Sequence, residues 1–246
     1  AIDGVIIASA TPTHADLIIR ACDAGKAIFC EKPIDLDIER VRAVVAHIDA
    51  SGQLCQLGFN RRFDPQFRDL HRQLRDGRVG DIEQVIISSR DPAPPPIGYI
   101  KESGGLFRDM MIHDFDMARW LTGSEFVEVI ARGSCLVDPA IGDAGDVDAA
   151  MVLMKTADGR LVHINNSRRC SYGYDQRIEV FGSAGMLQAQ NVLESRLRFA
   201  GEAGQVDAKP CRHSRLPPLP TSSIAMPCAL PECVVLARSV PLAPPA

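Results

Sequence analysis

The sequence predicts two structural pieces in succession. Residues 1 to about 59 read as an α/β piece with a parallel sheet, and residues 60 to about 200 as an α+β domain with an open, mostly antiparallel sheet. Three observations carry this. The first stretch alternates strand and helix patterns in lengths that suit βαβ units, whose crossovers are nearly always right-handed. From about residue 80 to 190 five runs with partial period-two alternation take over, the mark of a sheet with one face packed and one face open. The composition of the 246 residues, 46% hydrophobic and 24% charged, is ordinary for a globular protein of this size.

The elements follow in order. "DGVIIAS" is a continuous apolar run suited to a buried parallel strand. After the loop "ATPTH", "HADLIIRACDAG" places Leu17, Ile18, Ala21 and Cys22 at helical spacing, with Gly25 as its C-terminal stop. "KAIFCEKP" is a second strand, "DLDIERVRAVVAHIDASG" a second helix ending at Gly52, and "LCQLGFN" a third strand. In the second piece the strands are "IEQVIISSR", "EFVEVIARGSCLV", "VDAAMVLMK", "RLVHINNS" and "QRIEVFG", with Asp158-Gly159 as a hairpin bend. "SGGLFRDMMIHDFDMARWL", residues 103–121, interrupts these strands as a helix.

Residues 201–246 are expected to be an irregular, Pro-rich tail. Nine of the 17 prolines fall at or after Pro210, and Glu232 is the only acidic residue in that span. Prolines break any element attempted there. The tail reads either as a disordered segment or as a stretch translated out of frame.

Several classes of function are excluded. A net charge of −4 gives no reason to expect nucleic acid or an anionic membrane as partner. No run of 18 apolar residues is present, and the chain opens with no signal-peptide pattern. None of the eight cysteines forms a C-x-x-C pair or a zinc module, so reduced thiols in a cytoplasmic protein are expected.

Candidate chemistry lies in two places. Open parallel sheets bind ligands at the carboxyl ends of their strands, where "TPTH" and "EKP" fall. Pro33 biases Lys32 towards an extended backbone, which aims its side chain at the sheet rim; a surface lysine beside Glu31 is the competing reading. In the helix of residues 103–121, Phe107, Met110, Met111, Ala118 and Leu121 share an apolar side, and Asp109, His113 and Asp116 another. Asp109 and His113 stand four apart. A carboxylate beside an imidazole favours its protonated form and suits general acid/base work, although a plain surface pair fits the same spacing. Asp114 points to the apolar side, which is costly unless a partner satisfies it.

"EKPIDLDIERV" together with "GGLFRDMMIHDFDMARWL" resembles the Gfo/Idh/MocA oxidoreductase family. "RDPAPPPIGYIKESGG", "AIGDAGDVDAA" and "NSRRCSYGYDQRIEVFGSAGM" narrow the resemblance to its inositol 2-dehydrogenase branch. It runs in order from residue 1 to about 200. It implies a Rossmann domain that holds NAD, of which residues 1–59 would be the C-terminal half, and an α+β domain at residues 60–200 for substrate and oligomerisation. By motif, Lys32, Asp109 and His113 look catalytic. His113 would take the hydroxyl proton as hydride leaves the same carbon of myo-inositol, giving 2-keto-myo-inositol, while Asp109 and Lys32 orient the substrate. Asn60, Arg61 and Tyr174 would line the polyol pocket, and Pro12, His14, Glu31 and Lys32 would contact the cofactor. No metal is needed, and a homo-oligomer, a homotetramer in the family's manner, is implied.

The chain departs from that pattern in carrying no G-x-G-x-x-G turn. By itself it is therefore expected to be an inactive fragment that binds NAD negligibly. Another polyol or sugar oxidoreductase of the family, for instance of the glucose–fructose oxidoreductase type, is the competing activity. A non-enzymatic remnant that oligomerises through its second domain is the remaining possibility.

Overall fold

The computed structural model describes residues 2–193 and, beyond them, the backbone of residues 198–201, 204–207 and 234–236. Two compact units divide the chain, residues 1–59 with 224–246 and residues 60–223.

The first unit is the βαβαβ piece. Strands β1 (Gly4–Ile7), β2 (Ala27–Cys30) and β3 (Cys55–Leu57) pair in parallel in that order, with helices α1 (His14–Asp23) and α2 (Ile38–Ser51) as the crossovers. The expected strand and helix boundaries shorten by one to three residues at most ends. Ile7, Ala15, Ile18, Cys22, Ile28, Cys30 and Val44 make its core. The side chain of Asp37 accepts from the Glu39 N–H at the start of α2, and Gly52 closes it with a φ of 64°. α1 stops at Ala24, one residue earlier than Gly25.

The second unit opens on helix α3 (Pro65–Arg75), which the apolar pattern alone did not single out. Its start is nonetheless written locally: Asp64 accepts from the N–H groups of Gln66 and Phe67, with Pro65 in the first turn. The strands are β4 (Ile82–Arg90), β5 (Phe126–Ser134), β6 (Ala149–Thr156), β7 (Leu161–Ser167), β8 (Asp175–Gly182) and β9 (Gly185–Ala189). They form one sheet in the order β5-β6-β7-β4-β8-β9. All pairs are antiparallel except the central β4–β7 pair, so the sheet is mixed. On one face Val85, Ile87, Val152, Met154, Val162, Ile164, Ile178 and Val180 pack with Phe67, Leu70, Met111, Met117 and Leu121. On the other, Met151, Leu153, Phe181 and Met186 are exposed.

The stretch 103–121 is not one helix. Helix α4 (Ile97–Ser103) ends at Gly104 and Gly105, both at positive φ; a π-turn, Leu106–Met110, follows, and helix α5 (Ile112–Thr122) only then begins. A carboxylate from elsewhere in the chain caps the start of the π-turn. Asp146 accepts from the Leu106 N–H at 3.0 and 3.1 Å, and a Cβ at Gly105 would come within 2.5 Å of its Oδ1. A side chain at Gly105 would block that carboxylate, so the glycine is required there.

Three short strands stand in or beside the span read as an irregular tail. β10 (Arg198–Gly201) and β11 (Gly204–Asp207) form a hairpin, and β12 (Val234–Leu236) pairs antiparallel with β1. These correct the irregular reading at those positions. Residues 202–203, 208–233 and 237–246 of the expected tail lie outside the described residues. Among the described residues no disulfide joins Cys22, Cys30, Cys55, Cys135 and Cys170. Among the described residues no helix is long and apolar enough to cross a membrane.

Candidate active site

The second unit gathers its polar side chains by strand register. Ser89 of β4 pairs with Asn166 of β7 on one side and Gln176 of β8 on the other, so these three stand in a row on the face that packs against α5. Above the row is Asp114, fully buried at 0% exposure. It accepts from Ser89 Oγ at 2.5 Å, from Asn166 Nδ2 at 2.9 Å and from the Arg61 guanidinium. The partner demanded by a carboxylate on the apolar side is thus a cluster of side chains. Gln176 Nε2 donates to Ser89 Oγ at 2.9 Å, and Tyr174 Oη donates to Gln176 Oε1 at 3.2 Å. Ser89 therefore uses its proton on Asp114 and its lone pairs on Gln176 and Arg61.

Asp91, Arg168 and Tyr174 stand at the strand ends next to this row. Burial first, then Asp109 and Asp114, push the Asp91 carboxyl up, against the pull of Arg168 and Arg61. Burial likewise raises the Tyr174 phenol, against Arg61. For Arg61, burial works against the charge, but Asp114 and Tyr174 outweigh it and the guanidinium is held more firmly charged. The structure so brings together two expected polyol residues, Arg61 and Tyr174. Asn60, the third, is exposed at the start of a 3-10 turn, Asn60–Phe63.

Asp109 lies in the π-turn, 9% exposed. Tyr99 of α4 donates to its Oδ1 at 2.8 Å, and Arg168 Nη2 stands 3.5 Å from its Oδ2. Burial, then Asp109, push the Tyr99 phenol far up, so it remains a donor. His113 is half-buried in the first turn of α5. Because the π-turn intervenes, the simple α-helical spacing expected between Asp109 and His113 does not describe this segment. Asp116, expected beside them, is buried and takes a two-pronged ion pair from Arg62 at 2.6 and 2.8 Å. The Arg62 guanidinium lies 5.8 Å from the Trp120 ring, and Trp120 stacks on His71 at 4.0 Å. Asp116 thus fastens α5 to the turn before α3.

The strand-end knot on the opposite face is structural. Arg90, Arg177, Tyr172 and Asn191 all donate to Asp175, which is fully buried. Burial alone would raise this carboxyl, but the hydrogen bonds from Arg177, Tyr172 and Asn191 prevail and hold it at about 2. Its contribution is present above the unfolded value near 4 and is lost as pH falls through about 2. Asp175→Asn should cost about 2 kcal/mol at neutral pH, with the gap to the parent closing between about pH 4 and 2. Urea unfolding across that range reads it; a gap independent of pH would contradict the assignment.

In the first unit, Pro12 is exposed in the 3-10 turn after β1, and Lys32 is half-buried after β2 with a cis peptide to Pro33. The Glu31 carboxylate lies against Gly58, where a Cβ would meet it at 2.9 Å. His14, expected at the cofactor, is held within the unit. It is 1% exposed, with Nδ1 2.8 Å from the Pro33 carbonyl and Nε2 2.9 Å from that of Ser9. Both ring nitrogens thus face backbone carbonyls, and His14 ties together the loops after β1 and β2.

Asp91, Tyr99 and Arg168 are the site residues that sequence patterns did not single out. Asp91 and Arg168 each directly follow a strand, in "SSRD" and "NSRR", which is the one local signal they carry.

Comparison with known proteins identifies the family and the fold. Residues 1–59 match the model of the oxidoreductase family with an NAD-binding Rossmann fold, and residues 67–188 match the model of the GFO/IDH/MocA C-terminal domain. The inositol 2-dehydrogenase of Rhizobium meliloti is 58% identical over 190 residues, 77% of this chain and 58% of that protein. The crystal structure of a myo-inositol dehydrogenase from Corynebacterium glutamicum superposes with a TM-score of 0.82 at 46% identity, covering 86% of this chain and 64% of that one. A scyllo-inositol dehydrogenase from Lactobacillus casei, solved with NAD(H) and scyllo-inositol bound, gives 0.76 at 36% identity over 84% and 63%. The chain spans about three-fifths of the length of these relatives. With family models matching both of its parts, the chain belongs to the Gfo/Idh/MocA oxidoreductase family.

Proposed function

We propose that this site serves the NAD-dependent oxidation of the 2-hydroxyl of myo-inositol to 2-keto-myo-inositol. The observation that carries the reading is the polar rim at the ends of β4, β7 and β8, where Asp91, Asp109, Arg61, Tyr99 and Tyr174 bring donors and acceptors together around buried charge. An inositol ring offers only hydroxyls, each a donor and an acceptor, and such a rim answers both.

Oxidation of a secondary alcohol removes a proton from oxygen and a hydride from carbon. His113 accepts the proton, and Asp109, fixed by Tyr99, orients the hydroxyl. Arg61, held by Asp114, donates to one remaining hydroxyl, and the Tyr174 oxygen, its proton on Gln176, accepts from another. Lys32 takes its role beside the reacting hydroxyl from the E-K-P motif. NAD, when bound, supplies the hydride acceptor. The first unit offers it the exposed Pro12 ring, the Glu31 carboxylate and Lys32 at the ends of successive parallel strands: an apolar surface, an acceptor for ribose hydroxyls and a donor. Cysteines without a disulfide among the described residues support a cytoplasmic location. The exposed apolar face with Met151, Leu153, Phe181 and Met186 supports assembly of copies of the chain through the sheet.

Polyol binding can be tested separately from turnover. In an NMR titration, myo-inositol should shift the Tyr99 and Tyr174 ring signals saturably, and Arg61→Met should weaken that binding by about tenfold or more, the loss of a charged hydrogen bond. Equal shifts with glucose would favour a sugar oxidoreductase. No response to any polyol would contradict the reading. The expectation that the chain alone lacks turnover is checked by adding NAD and following reduction.

A further inference from the structure

We infer that Arg168, acting with Asp146, is the positioning residue for Asp109: a buried clamp that holds the π-turn carrying this carboxylate. The inference rests on the reading of Asp109 as a substrate-orienting group.

Arg168 directly follows β7 and is 1% exposed. Its backbone is fixed, since its N–H donates to the Asp148 carbonyl at 2.8 Å. Its Nη2 lies 3.5 Å from Asp109 Oδ2 and 4.0 Å from Asp146 Oδ2. Asp146 in turn accepts from the Leu106 N–H, the first residue of the π-turn in which Asp109 is fourth. One guanidinium therefore acts on both ends of the turn, on Asp109 itself and, through Asp146, on Leu106. Gly105 leaves room for the second arm.

A buried guanidinium is costly, and an apolar side chain of similar volume often serves a fold as well. Nε and Nη2 of Arg168 make no hydrogen bond among the described residues, so what Nη2 offers Asp109 and Asp146 is charge at close range. Such a charge is of use where carboxylates must be kept in place. On the far side of Asp109, Tyr99 completes the arrangement by donating to Oδ1. With Oδ2 towards Arg168 and Oδ1 towards Tyr99, the plane of the carboxylate is set from two sides.

Tyr99 reports on this directly. The test records the ring signals of Tyr99 in the full chain and its variants Arg168→Met, Arg168→Lys and Asp109→Asn, with myo-inositol affinity measured alongside. In Arg168→Met the Tyr99 signals should move most of the way to their positions in Asp109→Asn, and affinity should fall about 10–100-fold, the usual cost of losing a group that orients a ligand-binding side chain. Arg168→Lys, which keeps the charge and loses the fork, should recover part of both. If Arg168→Met does not fold, Arg168→Lys decides by itself. A folded variant in which Tyr99 stays at the parent position overturns the inference. A chain that binds no polyol, yet whose Tyr99 answers to Arg168 as stated, would sink the substrate assignment and leave the clamp standing.

Discussion

Replacing Asp114 with alanine should destabilise the second unit by about 3–5 kcal/mol, the cost of leaving one member of a buried ion pair uncompensated. The guanidinium of Arg61 has 11% of its side chain exposed and would lose its counter-ion. Ser89 and Asn166 would lose the acceptor they share. Because Ser89, Asn166 and Gln176 form one row across β7, β4 and β8, the damage falls on the centre of the sheet. A loss of that size lowers Tm by on the order of 10 °C in a domain of this length. Asp114→Asn keeps the shape and two of the hydrogen bonds and should cost clearly less. As a control, removing the exposed Arg119–Glu125 pair should change stability by less than about 1 kcal/mol, as surface pairs do. Thermal unfolding of the three variants reads this. An Asp114→Ala protein as stable as the parent would contradict the central place given to that carboxylate.

In the chain joined to a family half-domain that carries the G-x-G-x-x-G turn, His113→Ala should lower turnover by about 10²–10⁴-fold, the range for removing a positioned general base. The loss should fall on kcat, since His113 is assigned to proton transfer, whereas Arg61→Met should act mainly on inositol affinity. Steady-state rates of NAD reduction at saturating inositol separate the two. A His113→Ala enzyme with unchanged kcat would move the general base to another group, of which Asp91, raised by burial at the strand ends, is the first to examine.

The strands and the two crossover helices were legible because each depends on a local period. Ile28 and Cys30 alternate inward in β2, and Asp37 and Gly52 mark the ends of α2 within the sequence itself. The π-turn was not legible. Leu106, Met110 and Met111 have the spacing of an α-helix, and the group that caps the turn, Asp146, lies forty positions away. For the same reason Asp114 could be read as needing a partner but not which one, since Arg61 and Asn166 meet it only through register and packing. Arg61 and Tyr174 were found by motif and do come together. The burial of His14 between the carbonyls of Ser9 and Pro33 comes only from the fold of the "TPTH" and "EKP" loops. The mixed character of the sheet rests on the single parallel pair β4–β7, which no alternation pattern distinguishes from an antiparallel one.

The central claim is that hydride leaves the carbon whose hydroxyl proton His113 accepts. It is tested most directly with myo-inositol carrying deuterium at carbon 2, incubated with NAD and the chain joined to a family half-domain that carries the G-x-G-x-x-G turn, and analysed by mass spectrometry of the reduced nucleotide. The account predicts that the deuterium is found in the NADH formed, in equal amount to the ketone. Binding of both inositol and NAD with no deuterium transferred would contradict it.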